Sequence, residues 1–331
     1  YQRYEWGALD FPYFFTVREA FAADTDMRKL STLFAQDNKY VNANRLETFI
    51  DNHDRARFLT WADDNYQRLR TALTFEMTTR GIPVIYYGTE QADDGNGQGG
   101  EVPIANKHNR KDMASFDENA TIYKHLQRLT SLKKEYPALR TGTQREMWAD
   151  ENFYAFSRLD DSTNSETITT VTNSWDTQTR TIPIRSESPL RVGDVLINLM
   201  NTSQTVTVQA GGITGRQIVV SLAGHDAAVF SKVAPSQGYA PEQLNATRIR
   251  VHYNVGYGHS IAIRGDNYPL SWAEGRGARN IDSDIWEFEI ERIPSGQAFE
   301  FKALIDDQRW SMGQNFTGVG GQTIDVYPTF N

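Results

Sequence analysis

The first 140 residues alternate short apolar runs with segments in which apolar residues recur every three or four positions. The apolar runs at 46–50 and 82–87 predict buried strands, and the run at 8–15 predicts a strand or the exit from one. The recurring apolar positions predict helices at 18–23, 27–34, 66–77 and 122–132. Because alternating strands and helices are typical of a parallel sheet with helical crossovers, we expect an α/β domain over residues 1–140.

The pattern changes after residue 140 to short alternating runs rich in Thr and Val, separated by Gly, Asn and Ser. Such alternation predicts antiparallel strands with one face on a core, so residues 141–233 should form a β-domain. Residues 234–246 hold two Pro and a Gly among few large apolar side chains, which is typical of a linker. Further alternating runs predict a second β-domain over residues 247–331.

Charge and composition exclude several classes of function. The 34 Lys and Arg residues against 42 Asp and Glu residues give a net charge of −8, which argues against nucleic acid as a partner. The absence of Cys excludes disulfides, thiolate nucleophiles and cysteine zinc sites. No apolar run reaches the ~18 to 20 residues that a membrane span needs, so we expect no membrane partner. Aromatic residues form 12% of the chain and offer faces for sugar stacking, although most such side chains fill cores.

A polar motif follows the apolar run at 46–50. Asp51, Asn52, His53 and Asp54 gather two carboxylates, an amide and an imidazole where a buried parallel strand would end. Catalytic groups of α/β barrels collect at this end, because the loops diverge there while the barrel holds the strand ends rigid. Carboxylates without a thiol or a metal suit glycoside cleavage, which needs a delivered proton and a stabilised positive charge on the sugar. The alternative interpretation is a helix-capping loop.

The string from Thr48 to Asp54 resembles the fourth conserved region of the α-amylase superfamily (glycoside hydrolase family 13), at the seventh barrel strand. Residues 81–91 are similar to that family's eighth strand and its exit, and residues 7–12 to its sixth strand. In these motif strings the chain is most similar to bacterial α-amylases and cyclodextrin glucanotransferases. The resemblance implies the C-terminal portion of a (β/α)8 TIM barrel, then an antiparallel β-sandwich domain and a β-sandwich starch-binding module.

The resemblance also implies roles for individual residues of the barrel. Asp54 matches the family's third catalytic carboxylate, which stabilises the distorted transition state, and His53 matches the neighbouring binder of substrate hydroxyls. Asn109 and Arg110 match a pair that contributes to a donor subsite, and the alternative for Arg110 is a solvated loop cation. Glu90 matches a position that is usually regarded as structural.

Two further catalytic carboxylates of the family have no match in this sequence. The nucleophile lies in a Gly-x-Arg-x-Asp string on the fourth strand, and no such string precedes residue 48. The general acid is a Glu on the fifth strand, and Glu5 lies too close to the sixth-strand match at residues 7–12. The resemblance therefore implies a longer enzyme, whose N-terminal part is a partner of this chain. We expect residues 1–331 by themselves not to hydrolyse starch.

The second β-domain resembles the starch-binding module attached to many amylases and glucanotransferases. The matching segments are 270–272, 299–302 and 310–315. By this match Trp272 and Trp310 are the stacking pair, with Lys302 and Asn315 as polar partners. Trp286 matches a core residue instead. The alternative is that all three tryptophans are core residues.

Together the matches imply an α-amylase-type retaining glycoside hydrolase that cleaves α-1,4-glucosidic bonds in starch and α-glucan oligosaccharides and binds raw starch. The first alternative is a cyclodextrin glucanotransferase or maltogenic amylase with the same site. Residues 234–246 leave no room for the immunoglobulin-like domain that glucanotransferases usually carry, which favours hydrolysis. An alternative of another class is a non-catalytic glucan-binding protein.

Location and metal content follow only from the resemblance. It implies a secreted enzyme that binds calcium through ligands lying mostly outside this chain. Within the chain we expect no metal site. Residues 93–97 carry oxygen ligands without the spacing of a calcium loop, so we expect a solvated loop there.

Overall fold

The structure, a computed structural model, describes residues 7–95, 108–241 and 243–331. These residues divide into two compact units. The first holds the described residues before 63 and from 66 to 241, and the second holds residues 63–65 and 243–331. Glu5, residues 96–97 and position 242 of the predicted linker lie outside the described residues. The division into domains at residues 140, 233 and 246 stays a prediction.

The α/β part of the first unit has short parallel strands with helices between them. The strands are β1 (Ala8–Leu9), β2 (Leu46–Thr48) and β3 (Ile82–Pro83). The helices are α1 (Phe11–Ala22), α2 (Arg28–Phe34), α3 (Phe58–Trp61), α4 (Tyr66–Thr78), α5 (Thr121–Glu135) and α6 (Pro137–Thr141). Single 3-10 turns lie at Asp37–Lys39, Ala43–Arg45, Thr89–Gln91 and His108–Arg110. The helices predicted from the apolar spacing are confirmed.

The parallel strands pair in the order β1-β2-β3, so β2 is central. The run at 8–15 is a strand only at its start, and the prediction is wrong for Phe11 onward. Asp10 ends the strand and caps α1, because its Oδ1 accepts a hydrogen bond from the backbone N–H of Tyr13 at 3.0 Å. Pro12 in the first turn suits a helix start as well. The chain therefore turns from strand to helix within two residues.

A β-domain completes the first unit. Its strands are β4 (Thr143–Ala149), β5 (Phe153–Asp160), β6 (Ser165–Thr172), β7 (Gln178–Pro183), β8 (Val195–Asn198), β9 (Thr205–Thr207), β10 (Gln209–Ala210), β11 (Arg216–Leu222) and β12 (Ala227–Ser231). They form an antiparallel sheet in the order β4-β5-β6-β12-β8-β9 and another in the order β10-β11-β7. A shared apolar core lies between these two sheets.

Strand β5 explains why the α/β part, called the barrel part from here on, and this β-domain form one unit. Phe153 and Ala155 belong to the core between the two sheets. Tyr154 and Phe156 point the other way and join the apolar cluster of α1 and α4, where the ring of Phe75 lies 5.8 Å from that of Phe156. Because side chains alternate along a strand, β5 is buried on both faces.

The second unit is a separate antiparallel β-domain. Its strands are β13 (Thr247–His252), β14 (Ile261–Gly265), β15 (Arg276–Gly277), β16 (Arg279–Asp282), β17 (Ile285–Ile290), β18 (Ala298–Ile305), β19 (Arg309–Trp310), β20 (Phe316–Val319) and β21 (Thr323–Val326). One sheet has the order β16-β17-β13-β21, with β21 parallel to β13, and the other has the order β15-β14-β18-β19, with β20 also on β18. Apolar residues of both sheets form one core.

Among the helices of the described residues, none is both long and apolar enough to cross a membrane.

Candidate functional site

The loop that follows β2 carries the predicted catalytic residues. Its start is buried, with Phe49 and Asp51 at most 2% exposed. The side chains of His53 and Asp54 are 60% and 48% exposed. Asn52 shapes the turn that leads from the buried start of the loop to these exposed side chains, because its Oδ1 accepts a hydrogen bond from the backbone N–H of Asp54 at 2.8 Å. The Asp54 carboxylate therefore reaches solvent at the carboxyl end of the central parallel strand.

A short helical turn packs against this loop and holds it. Asn109 is buried and donates from Nδ2 to three carbonyl oxygens of the loop at 2.6 to 3.3 Å. Arg110 donates from Nε to the carbonyl oxygen of His53 at 2.7 Å and from Nη2 to Oδ1 of Asp54 at 2.8 Å. Nε2 of His53 lies 3.2 Å from Oδ2 of Asp54. The structure thus brings Asp54, His53 and Arg110 together, and the Arg110 side chain is 33% exposed and paired with Asp54.

These contacts define what the carboxylate can do. Arg110 on one oxygen of Asp54 and His53 beside the other set the orientation of the carboxyl plane. An exposed carboxylate held in this way can accept hydrogen bonds from sugar hydroxyls. Its negative charge can also stabilise a positive charge that develops on a sugar ring.

Buried polar side chains under the loop tie it to the segment after β3. Oδ1 of Asp51 accepts a hydrogen bond from the Thr89 hydroxyl at 3.0 Å. Burial raises the pKa of Asp51, and the Arg57 guanidinium opposes that rise. Arg57 has no exposed surface, and its Cζ lies 4.2 Å from the ring centroid of Tyr86 and its Nη2 3.6 Å from Oδ2 of Asp93. This network fixes the base of the loop that follows β2.

Sequence reasoning did not single out Arg57 or Thr89. Arg57 follows Asp54 by three positions, and on a polar loop such a residue is ordinarily solvated. Its guanidinium packs on Tyr86, which lies in the segment that follows β3. The only local signal was its closeness to the motif.

The expected solvated loop at residues 93–97 is wrong for its described part. The side chain of Asp93 is 8% exposed, and Asp94 is 3% exposed. Nζ of Lys111 lies 2.9 Å from Oδ1 of Asp93 and 4.0 Å from Oδ1 of Asp94, so a cation stands beside both carboxylates. In the part of the chain that the structure describes, no group of three or more Asp, Glu or His residues could hold a metal ion. The described residues therefore provide no cluster of carboxylate and imidazole groups for a cation.

In the second unit, Trp272 and Trp310 form an exposed aromatic pair. They are 37% and 42% exposed, their ring centroids lie 6.3 Å apart, and their planes differ by 29°. Trp286 packs against the apolar core of this unit instead. The interpretation of all three tryptophans as core residues is therefore wrong for Trp272 and Trp310.

The two polar residues matched to the starch-binding module bind groups of the protein itself. Nζ of Lys302 donates to the carbonyl oxygens of Ser311 and Gly313, both at 2.7 Å. Nδ2 of Asn315 donates to Oε2 of Glu300 at 2.9 Å. Lys302 therefore holds the loop that follows Trp310.

The fold and the site define part of a (β/α)-barrel enzyme with an exposed carboxylate at its central strand. The family model described as "Alpha amylase, catalytic domain" matches residues 8–124. The chain belongs to the α-amylase superfamily.

Individual relatives agree with this membership. The beta/alpha-amylase of Paenibacillus polymyxa is 38% identical over 239 residues, which are 70% of this chain and 18% of that protein. The cyclomaltodextrin glucanotransferase of Paenibacillus macerans is 33% identical over 242 residues, which are 72% of this chain and 32% of that protein. A crystal structure of a cyclomaltodextrin glucanotransferase with a three-domain ABC distribution has 31% identity and a TM-score of 0.57, covering 68% of this chain and 44% of that chain. The chain thus spans less than a third of the length of these two curated relatives.

Proposed function

We propose that this chain forms the C-terminal part of the active site of an α-amylase-type retaining glycoside hydrolase that cleaves α-1,4-glucosidic bonds in starch and α-glucan oligosaccharides. The observation that carries the proposal is the Asp54 carboxylate, exposed at the end of β2 and oriented by Arg110. The names of the similar proteins support a substrate of this class. From the family resemblance alone we also propose that the protein is secreted.

Retaining cleavage needs a nucleophilic carboxylate and a carboxylic acid that protonates the leaving oxygen. We place both outside residues 1–331, in an N-terminal part of the same enzyme. Asp54 binds hydroxyls of the reacting glucose, and its charge stabilises the oxocarbenium-like transition state. His53, which is 60% exposed beside it, binds a neighbouring hydroxyl. Arg110 orients Asp54 and lines a more distant subsite.

A cyclodextrin glucanotransferase or maltogenic amylase is the second candidate. The names of the relatives in the previous section favour it. In a hydrolase, water attacks the covalent glycosyl-enzyme intermediate and releases the sugar, whereas in a transferase a sugar hydroxyl attacks it. The short segment at 234–246 does not separate the two, because the solved glucanotransferase has a three-domain distribution.

Product analysis on soluble starch tests the proposal. The assay compares residues 1–331 with the translation product of the complete open reading frame that contains them. We expect linear products with retained anomeric configuration from the complete product and no products from residues 1–331. Cyclic products would assign a transferase. Activity of residues 1–331 would contradict our placement of the nucleophile and acid, and inactivity of both proteins would indicate a non-catalytic glucan-binding protein.

We further propose that the second unit binds raw starch through Trp272 and Trp310. Two exposed indole rings with their centroids 6.3 Å apart offer flat apolar faces on which glucose rings can stack. The pair stands on a compact β-domain with its own core, which keeps both rings in place before a ligand binds.

The Trp272→Ala/Trp310→Ala double variant should lose retention on raw starch granules. An aromatic residue at the centre of a binding site contributes about 2 kcal/mol or more, which corresponds to roughly thirtyfold in affinity for each ring. The measurement is the bound fraction after sedimentation with granules. Trp175→Ala is the matched control, since Trp175 is also 37% exposed but belongs to the first unit. Unchanged retention of the double variant would refute the assignment.

A further inference from the structure

Arg264, on strand β14, contacts both exposed tryptophans. Its Cζ lies 5.2 Å from the ring centroid of Trp310, within the range of a cation–π interaction. Its Nη1 donates a hydrogen bond to the backbone carbonyl oxygen of Trp272 at 3.1 Å. A single guanidinium therefore joins the ring of one tryptophan to the backbone of the other.

Asp307 holds this guanidinium in one plane. Nε of Arg264 donates to Oδ1 of Asp307 at 2.7 Å, and Nη2 donates to Oδ2 at 2.8 Å. Nη2 also donates to the backbone carbonyl oxygen of Asp307 at 3.1 Å. Bidentate pairing of this kind restricts both the position and the tilt of the guanidinium. The two side chains are 16% and 33% exposed, so neighbouring groups shield the pair in part.

The same carboxylate anchors the loop after Trp272. Oδ2 of Asp307 accepts a hydrogen bond from the backbone N–H of Gly275 at 3.1 Å. A Cβ at position 275 would lie 2.0 Å from Oδ1 of Asp307, so this close approach requires glycine. Asp307 itself lies in the turn just before β19, the strand that carries Trp310. One ion pair thus connects the segments that bear the two tryptophans.

We propose that the Arg264–Asp307 pair is the positioning device of the starch-binding surface. It holds Trp272 and Trp310 at the separation of 6.3 Å and the tilt of 29° at which they meet successive glucose rings. The inference rests on the proposed raw-starch binding. Without the pair both rings remain, but their side chains are no longer held in one orientation. Part of the binding free energy must then offset the entropy that is lost when the ligand orders them. Arg264 and Asp307 are positioning residues because they act through the tryptophans.

Titration calorimetry of residues 1–331 with β-cyclodextrin, a soluble α-1,4-glucan ring, tests the proposal. Arg264→Met should weaken binding by about tenfold, since two side chains must then be ordered by the ligand. Arg264→Lys should restore little of this loss, because an ammonium group lacks the planar fork that matches the carboxylate. The matched control is Arg250→Met, which breaks an Arg–Glu287 pair of 2.8 Å in the other sheet and should leave binding unchanged.

A spectroscopic measurement separates positioning from general stability. The electronic transitions of two indole rings 6.3 Å apart couple and give a band in the circular dichroism spectrum. This coupling band should weaken in Arg264→Met and Asp307→Asn but not in Arg250→Met. Wild-type binding by Arg264→Met, with binding lost in the double tryptophan variant, would overturn the positioning role and leave the starch-binding proposal intact. Wild-type binding by the double tryptophan variant would overturn both. If Arg264→Met does not fold, Asp307→Asn decides by the same two measurements.

Discussion

Replacing Asp54 with Asn in the translation product of the complete open reading frame should lower kcat on soluble starch by about 10²- to 10³-fold, the usual effect of removing one preorganised electrostatic group. The substitution keeps the size of the side chain and its contact with His53. It removes the negative charge that opposes the positive charge on the sugar ring in the transition state. Because that charge is absent from the bound substrate, KM should change much less than kcat. Initial rates over a range of starch concentrations measure both constants.

Glu90→Gln is the matched control for this experiment. Glu90 lies on the turn Thr89–Gln91 at the exit of β3, outside the loop that carries Asp54. The same loss of one carboxylate there should leave kcat close to the wild-type value. If Asp54→Asn is as active as Glu90→Gln, Asp54 is not the transition-state carboxylate, and the family role does not transfer to this chain.

Replacing Arg80 with Met should lower the free energy of unfolding of residues 1–331 by about 3–5 kcal/mol, as expected when one partner of a buried ion pair is removed. Arg80 is 2% exposed and donates from Nη1 to Oδ2 of Asp10 at 2.6 Å and from Nη2 to Oδ1 of Asp37 at 2.7 Å. Without the guanidinium, the Asp10 side chain, which has no exposed surface, keeps an uncompensated charge. Asp10 also caps α1, so the loss reaches the first helix of the barrel part. Urea unfolding followed by fluorescence gives the change.

Arg28→Met provides the comparison for that measurement. Arg28 pairs with Asp26 at 2.5 Å, but their side chains are 62% and 37% exposed. Water screens such a pair, and its removal should shift the unfolding midpoint very little. An Arg80→Met midpoint equal to that of Arg28→Met would show that the buried network does not stabilise the first unit.

The loop after β2 shows how much of the candidate site the sequence alone predicts. The apolar run at 46–50 and the polar string after it were enough to place Asp54 and His53 at the end of a strand, because both signals are local. The contact of Arg110 with Asp54 joins residues 56 positions apart, and only a motif match suggested it. The burial of Arg57 had no such support and was missed.

The second unit shows the same limit in another form. Hydrophobic spacing does not distinguish Trp272, Trp286 and Trp310, and only the motif match assigned Trp286 to the core and the other two to the surface. The structure separates them into two exposed residues and one packed against the core. Exposure of a side chain depends on the sheet that arrives from elsewhere in the chain, and periodicity cannot report it.

Apolar spacing and short motifs were enough to predict the main strands and helices, the family and a carboxylate in the loop after β2, since these signals are properties of neighbouring residues. The packing of distant segments settles which charges are buried and which side chains orient the candidate sites. Arg264 meets Asp307 across 43 positions, and Arg80 meets Asp10 across 70. The partners in such pairs meet only after distant segments have packed together, and the reduced access of water then strengthens their attraction.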